Sequence, residues 1–149
     1  MQKAIELSIE NVMKGGGPFG ALIVKDGKTI ARGVNKVVVS NDPTAHAEIV
    51  AIRNAAKKLK TFDLTGCSIY TTCEPCPMCL SAIYWANIST IYYSNSKREA
   101  SKVGFRDSFI YKEISLNPSN RKLPMFKIKN PQALVAFKLW EEKEDKIKY

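Results

Sequence analysis

The sequence has a single histidine, no block of five charges of one sign, and no run of about 18 apolar residues, the length that a membrane-spanning helix requires. Its first residues, Met1–Glu6, also lack the apolar core of a secretory signal. We therefore expect a cytoplasmic protein that does not enter membranes. The chain has 149 residues, 45% of them apolar, which is enough for one core, and we expect one domain over residues 1–149.

Arginine is scarce among the basic residues. The chain has 23 Lys and Arg against 14 Asp and Glu, a net charge of +9, but only 5 of the 23 are Arg. The forked guanidinium of arginine is the group best suited to phosphate contacts, and positive charge alone is weak evidence for nucleic-acid binding. We interpret the excess as a lysine-rich solvated surface and do not expect a nucleic acid as the partner.

Hydrophobic periodicity predicts an α/β fold. The expected helices cover residues 3–14, 45–59, 76–86 and 97–103, and a last helix begins at Asn130 and Pro131. The expected strands cover residues 19–24, 29–33, 68–72 and 90–94, with 126–128 as a late strand and 37–39 as a short extension or a loop edge. This order is typical of a three-layer α/β/α fold with a mixed sheet of roughly five strands, in which the hairpin supplies the antiparallel pair.

Two short segments carry candidate metal ligands. The only histidine, His46, stands where a helix is expected to begin, and Cys76 and Cys79 stand at the beginning of the next one. The two cysteines are three positions apart, so their sulfur atoms share one face of the first helical turn. One imidazole and two thiolates give zinc three ligands and leave a fourth position for water, which is the pattern of a catalytic site. We expect one Zn²⁺ per chain.

Other interpretations of the cysteines remain open at this point. A closed zinc knuckle would need Cys73 or Cys67 as the fourth ligand, and a Cys-x-x-Cys pair can also be redox-active. Neither interpretation explains Glu48, two residues after the histidine. A His-x-Glu segment followed by Pro-Cys-x-x-Cys is the signature of zinc deaminases, in which the glutamate is the general acid and base. Two positions on a helix differ by about 200°, so the imidazole must approach the metal from outside the helix while Glu48 reaches the reacting water.

Beyond these motifs, the chain resembles the cytidine and deoxycytidylate deaminase superfamily, and within it the bacterial guanine deaminase branch. The similar stretches span nearly the whole chain: Gly17–Ala21, Ser40–Glu48, Cys73–Cys79, Tyr84–Ala86, Gly104–Tyr111 and a terminal Tyr. The resemblance implies the α/β/α fold of that superfamily and the conversion of guanine to xanthine with release of ammonia.

The resemblance also implies roles for individual residues. Zinc would be held by His46, Cys76 and Cys79, with Glu48 as the catalytic acid and base. Asn35, Asp107 and Tyr149 would hydrogen-bond the purine, and Phe19 would pack on its face; these four positions follow from the resemblance alone. One departure is Arg106, which stands beside Asp107 where a second acidic residue is expected.

The branch further implies a homodimer with exchanged C-terminal segments. The last helix and tail, residues 130–149, would cover the site of the partner subunit. The alternatives are a tRNA adenosine deaminase, which the charge of +9 favours, a deaminase of another free base such as cytosine, and a non-catalytic zinc-binding interaction module. The last of these would keep the cysteines but would not need Glu48.

Overall fold

A computed structural model describes residues 1–105 and 107–148. The chain divides into two compact units, residues 1–112 and residues 113–149. The elements of the first unit are α1 (Gln2–Met13), β1 (Gly20–Lys25), β2 (Lys28–Val34), α2 (Val37–Ser40), α3 (Ala47–Leu59), β3 (Cys67–Cys73), α4 (Pro77–Trp85), β4 (Thr90–Asn95), α5 (Lys97–Lys102) and the beginning of α6 (Asp107–Ser115). Among the described residues, no helix is both long and apolar enough to cross a bilayer.

The four strands form one mixed sheet in the order β2-β1-β3-β4. Strand β1 is antiparallel to both β2 and β3, while β3 and β4 are parallel. The β1–β2 hairpin turns at Asp26 and Gly27, both of which have positive φ angles, as a tight two-residue turn requires. The α/β fold with a mixed sheet is thus confirmed, with four described strands in place of about five.

Helices cover both faces of the sheet. A Cβ atom on Gly20 would meet backbone atoms of α1, whereas one on Gly33 would lie 2.1 Å from the carbonyl oxygen of Ala47 in α3. Gly33 pairs with Ala21, the neighbour of Gly20 in β1, and successive strand residues point to opposite faces. Helices α1 and α3 therefore lie on opposite faces. The main core lies where α3, β1 and β3 meet, and its buried members include Ala51, Ile23 and Ile69.

The second unit is built differently. It contains the end of α6, 3₁₀ turns at Pro118–Asn120 and Pro131–Leu134, and α7 (Val135–Glu142). The side chain of Asn130 accepts a hydrogen bond from the Gln132 N–H at 2.9 Å, which is the helix start predicted there. Within the described range 113–148 no residue is buried, and most of the large apolar side chains are exposed.

Two expectations about strands were wrong. Residues 126–128 pair with no described strand, because an apolar alternation of three residues is too short to specify one. Residues 37–39 belong to the one-turn helix α2, despite three consecutive valines. The backbone of this segment turns after β2, since the side chain of Asn35 accepts a hydrogen bond from the Val37 N–H, and Asn41 ends the turn in the left-handed region at φ 49°. These local bonds override the strand preference of β-branched residues.

Candidate metal centre and active site

The three expected metal ligands lie at the N-termini of two neighbouring helices. His46 is the residue immediately before α3, with extended backbone angles, so its imidazole does leave the chain from outside the helix. Cys76 precedes α4 in the same way, and Pro77 is the first residue of that helix. Proline is favoured there because its ring fixes the helical φ and its missing N–H would have no partner. Cys79 follows in the first turn, on the face that Cys76 also uses.

The geometry of these atoms fits zinc. The Nδ1 atom of His46 lies 3.6 Å from the sulfur of Cys76 and 3.5 Å from that of Cys79. Ordinary Zn–N and Zn–S bond lengths at tetrahedral angles separate nitrogen and sulfur ligands by about 3.6 Å. All three ligand atoms lie within 4.8 Å of one another. The donor set of one imidazole and two thiols, at this spacing, therefore fits a three-ligand zinc site.

The remaining cysteines do not complete a fourth position. Cys67 is buried in the core at the beginning of β3. The thiol of Cys73 points to the carbonyl oxygen of Ser96 at 3.8 Å, and burial raises its pKa to about 11. Among the described residues, only His46, Cys76 and Cys79 form a metal-ligating group. This arrangement disfavours the closed zinc knuckle.

The two ligand thiols differ in acidity. A hydrogen bond from Cys79, followed by the effect of the His46 imidazole, lowers the pKa of Cys76 to about 4 against the opposing effect of burial. The same hydrogen bond, together with burial, raises the pKa of Cys79. Cys76 is thus poised as a thiolate, the form that binds a metal ion, and its hydrogen bond with His46, followed by its charge, raises the pKa of that imidazole.

Glu48 lies beside the ligands at the beginning of α3. Its side chain is 5% exposed, and burial is the main reason why its pKa is raised. Its Oε1 atom accepts a hydrogen bond from the hydroxyl of Thr71, a fully buried residue of β3, at 2.9 Å. Its Oε2 atom lies 3.4 Å from the sulfur of Cys79. A carboxyl group with a raised pKa next to a metal site is suited to take up and return protons.

One cavity of about 370 Å³ contains this site. Glu48 and the ligands His46 and Cys76 line one part of its wall, while the fully buried Cys79 lies behind them. The expected substrate-binding residues Phe19, Asn35 and Asp107 line the same cavity. Tyr149, the fourth of them, lies outside the described residues.

The substrate-binding candidates offer different contacts. The ring of Phe19 meets that of Phe105 edge to face, with centroids 4.6 Å apart. Burial raises the pKa of the Asp107 carboxyl, and the charge of Cys76 acts in the same direction. The side-chain oxygen of Asn35 accepts a hydrogen bond from the Val37 N–H at 3.2 Å. Its side-chain nitrogen has no hydrogen-bond partner within the described part of the chain, which leaves a donor for a ligand.

Sequence reasoning missed several residues of the cavity. Phe105 and Glu74 belong to the stretches that carry the resemblance but had no expected role, although both line the cavity. Glu74 pairs with the Lys97 ammonium at 3.2 Å and accepts a hydrogen bond from the Lys97 N–H at 3.1 Å, which lowers its pKa. These two contacts between Glu74 and Lys97 join α5 to the segment that precedes Cys76. No local pattern predicts this contact, because Glu74 and Lys97 are 23 positions apart.

Comparison with known proteins places these features in a family. Residues 1–95 match the model of the cytidine and deoxycytidylate deaminase zinc-binding region. The chain is 48% identical to guanine deaminase of Bacillus subtilis, over all of this chain and 96% of that one. It is 38% identical to a tRNA-specific adenosine deaminase of Haemophilus influenzae, over 73% of this chain and 64% of that one.

Solved structures of guanine deaminases are also similar to this chain. The crystal structure of the Bacillus subtilis guanine deaminase superposes with a TM-score of 0.96, covering 99% of this chain and 95% of that one. A guanine deaminase structure from Nitrosomonas europaea, 31% identical, covers 80% of this chain and 65% of that one with a TM-score of 0.69. With its three-ligand site and neighbouring buried glutamate, the chain belongs to the zinc-dependent cytidine and deoxycytidylate deaminase family.

Proposed function

We propose that this protein is a guanine deaminase, which hydrolyses guanine to xanthine and ammonia. The observation that carries the proposal is the shared cavity, in which Phe19, Asn35 and Asp107 face the same space as Glu48 and two of the metal ligands. The similarity to the Bacillus subtilis guanine deaminase over the full length supports it, because the tRNA-specific relatives match a shorter part of the chain.

One zinc ion per chain would be held by His46, Cys76 and Cys79. When bound, zinc supplies a Lewis acid that makes water nucleophilic at neutral pH. Glu48 is the acid and base: it accepts a proton from the attacking water and passes it to a ring nitrogen of guanine. It then takes the proton of the hydroxyl group that water has added to the purine ring and delivers it to the departing amine, so that guanine and water give xanthine and ammonia. The hydrogen bond from Thr71 holds the Glu48 carboxylate in place for these transfers.

Recognition of the purine divides between two polar groups. The carboxylate of Asp107 accepts hydrogen bonds from ring N–H groups, and the free amide N–H₂ of Asn35 donates to a ring acceptor. Phe19, held by its edge contact with Phe105, packs against the face of the base. Four free thiols fit the reducing cytoplasm in which we infer that the enzyme works.

We also infer a homodimer in which residues 130–149, with Tyr149 at the end, cover the site of the partner subunit. In the described range 113–148 no side chain is buried, and Phe137, Leu139 and Trp140 of α7 are all exposed. Several large apolar side chains exposed on one short helix are typical of surfaces that contact another chain. Exchange of a terminal segment between identical chains is a low-cost way to cover them.

A screen for ammonia release tests the substrate. We expect zinc-loaded protein to release ammonia from guanine and to leave adenine, cytosine, cytidine and tRNA nearly untouched. Turnover of tRNA with none of guanine would establish the second candidate, a tRNA adenosine deaminase, which the net charge of +9 favours. Turnover of cytosine alone would leave the zinc-dependent deamination in place and show that the substrate is cytosine and not guanine.

Metal analysis tests the mechanism. We expect one zinc per chain and loss of turnover on chelation, restored by zinc. A metal-free protein with full activity would refute the mechanism, and a zinc-containing protein inactive on every base in the screen would favour an interaction module.

A further inference from the structure

Asn11, in the last turn of α1, connects three segments of the chain. Its side-chain nitrogen donates one hydrogen bond to the carbonyl oxygen of Gly17 and another to that of Asn35, each at 2.8 Å. An amide N–H₂ group has two protons, so both are used. Its main-chain oxygen accepts hydrogen bonds from the N–H groups of Gly16 at 2.8 Å and Lys14 at 3.1 Å. Asn11 therefore joins α1, the glycine segment 15–17 and the residue after β2.

Three of these partners belong to the wall of the cavity. Gly16, Gly17 and Asn35 line it, whereas Asn11 does not. The Asn35 N–H donates to the carbonyl oxygen of Phe19 at 3.1 Å, and its own carbonyl oxygen accepts from Asn11. Both backbone groups of Asn35 are thus fixed by partners outside the neighbouring strand β2. The direction in which its amide projects into the cavity depends on these two contacts, together with the hydrogen bond that its side-chain oxygen accepts from the Val37 N–H.

The close fit of the glycine segment supports this arrangement. A Cβ atom on Gly16 would lie 2.3 Å from the side-chain nitrogen of Asn11, and one on Gly17 would lie 2.9 Å from Cγ of Asn35. Real Cβ atoms do not approach so closely, so the absence of side chains at these two positions is what allows Asn11 to reach Gly17 and Asn35.

We propose that Asn11 is a positioning residue for purine binding, which acts by holding Gly17 and Asn35 in the wall of the cavity. The proposal deepens the guanine deaminase function and rests on it. The metal ligands and Glu48 lie at the beginnings of α3 and α4, and the hydrogen bonds of the Asn11 side chain go instead to Gly17 and Asn35. The contribution of Asn11 therefore belongs to substrate affinity rather than to the proton transfers.

Two substitutions at this position test the proposal. Asn11→Asp keeps the shape but replaces the donating nitrogen with an oxygen that only accepts and that faces two carbonyl oxygens, and Asn11→Ala removes the group. We expect either change to raise KM for guanine about tenfold, with kcat within about twofold and one zinc per chain retained, because interactions that position substrate are lost. Gly16→Ala should raise KM in the same direction, since its Cβ would displace the Asn11 amide.

Ser8→Ala is the matched control. Ser8 lies one turn earlier on α1, is 8% exposed, and donates only to the Ile5 carbonyl oxygen within the helix. Its removal should lower thermal stability without changing KM. If Ser8→Ala raised KM as much as the Asn11 variants, or if those variants lowered kcat at constant KM, the positioning role would be excluded.

Hydrogen exchange gives a second measurement that does not depend on turnover. We expect Asn11→Ala to speed exchange in residues 15–19 and 35–37 and to leave residues 46–52 and 76–82 unchanged, whereas Ser8→Ala should not speed the first two segments. Unchanged exchange there would overturn the positioning role even in an enzyme active on guanine. A wild-type protein without guanine turnover would instead overturn the proposed function, while the exchange pattern would still decide whether Asn11 orders the wall.

Discussion

At the scale of single residues, the proposed chemistry depends on one buried carboxyl group. Glu48 is held at one oxygen by Thr71 and faces the Cys79 thiol with the other. Without these partners, burying a carboxylate would cost several kcal/mol. The hydrogen bond from Thr71 thus has two effects: it stabilises the fold around Glu48, and it fixes the position of the carboxyl group that moves protons.

Replacement of Glu48 by Gln tests its role as acid and base. The amide keeps the shape but cannot exchange a proton in the reaction, so we expect kcat for guanine to fall by at least about 10²- to 10⁴-fold. Zinc content should stay at one per chain, because the ligands are His46, Cys76 and Cys79. Glu10→Gln, in the exposed part of α1, is the control. Near-normal turnover by the Glu48 variant would remove it from the mechanism.

Thr71→Val tests the support of Glu48. Valine has the size of threonine but lacks the hydroxyl, so the carboxylate loses its 2.9 Å hydrogen bond and stays buried. A lost buried hydrogen bond to a charged group is worth about 1.5–3 kcal/mol, and we expect kcat to fall roughly tenfold or more. Thr71→Ser, which restores the hydroxyl, should recover most of it. Equal loss in both variants would show that Thr71 matters for packing and not for the carboxylate.

At the scale of elements, α6 carries Asp107 to the cavity. One turn after Asp107, the hydroxyl of Tyr111 donates to the carbonyl oxygen of Pro75 at 2.8 Å. The ammonium of Lys97 lies 4.6 Å from the centre of the Tyr111 ring and also pairs with Glu74. The beginning of α6 is therefore attached to the segment that leads into the ligand Cys76.

Tyr111→Phe should loosen this attachment while keeping the ring beneath Lys97. We expect KM for guanine to rise several-fold, because Asp107 is held less firmly, and kcat and zinc content to change little. Tyr84→Phe on α4 is the control, since that side chain is 74% exposed. If the two variants had the same KM as the wild type, Asp107 would not depend on the Tyr111 contact.

The elements also show how far the sequence was informative. The helices that carry His46, Cys76 and Cys79 could be predicted because ligand spacing and the Pro77 start are local signals. Helix α6 was not predicted, because it is only nine residues long, which gives a helical period little room to repeat. The role of Asp107 came only from the resemblance.

The site residues that the sequence did not predict are those that act through contacts between distant parts of the chain. Thr71 and Glu48 are 23 positions apart, and Asn11 and Asn35 are 24 apart. No local pattern links either pair, because each contact exists only after the strands and helices pack. The residues that donate metal ligands were therefore predictable, and those that orient Glu48 and Asn35 were not.

At the scale of the whole molecule, the question is what residues 113–149 cover. The described part of this unit buries no side chain, although Phe137 and Leu139 are large and apolar. An unfolded tail would not be expected to keep the helix Val135–Glu142 with a capped turn before it. This unit has the character of a segment that completes its packing on another surface, as the inferred exchange between subunits requires.

Mixing two inactive variants distinguishes an exchanged tail from a tail that covers its own subunit. One variant carries Glu48→Gln with an intact tail, and the other keeps Glu48 but lacks Tyr149, whose loss we expect to lower guanine turnover more than thermal stability. In a mixed dimer with exchanged tails, the intact Glu48 meets the intact Tyr149 of the partner subunit. After unfolding and refolding an equal mixture, random pairing should restore roughly a quarter of wild-type turnover. If each tail served its own subunit, no pairing could combine the two intact groups, and the mixture would stay as inactive as its components. Refolding each variant alone is the control, and a mixture no more active than these would exclude the exchange.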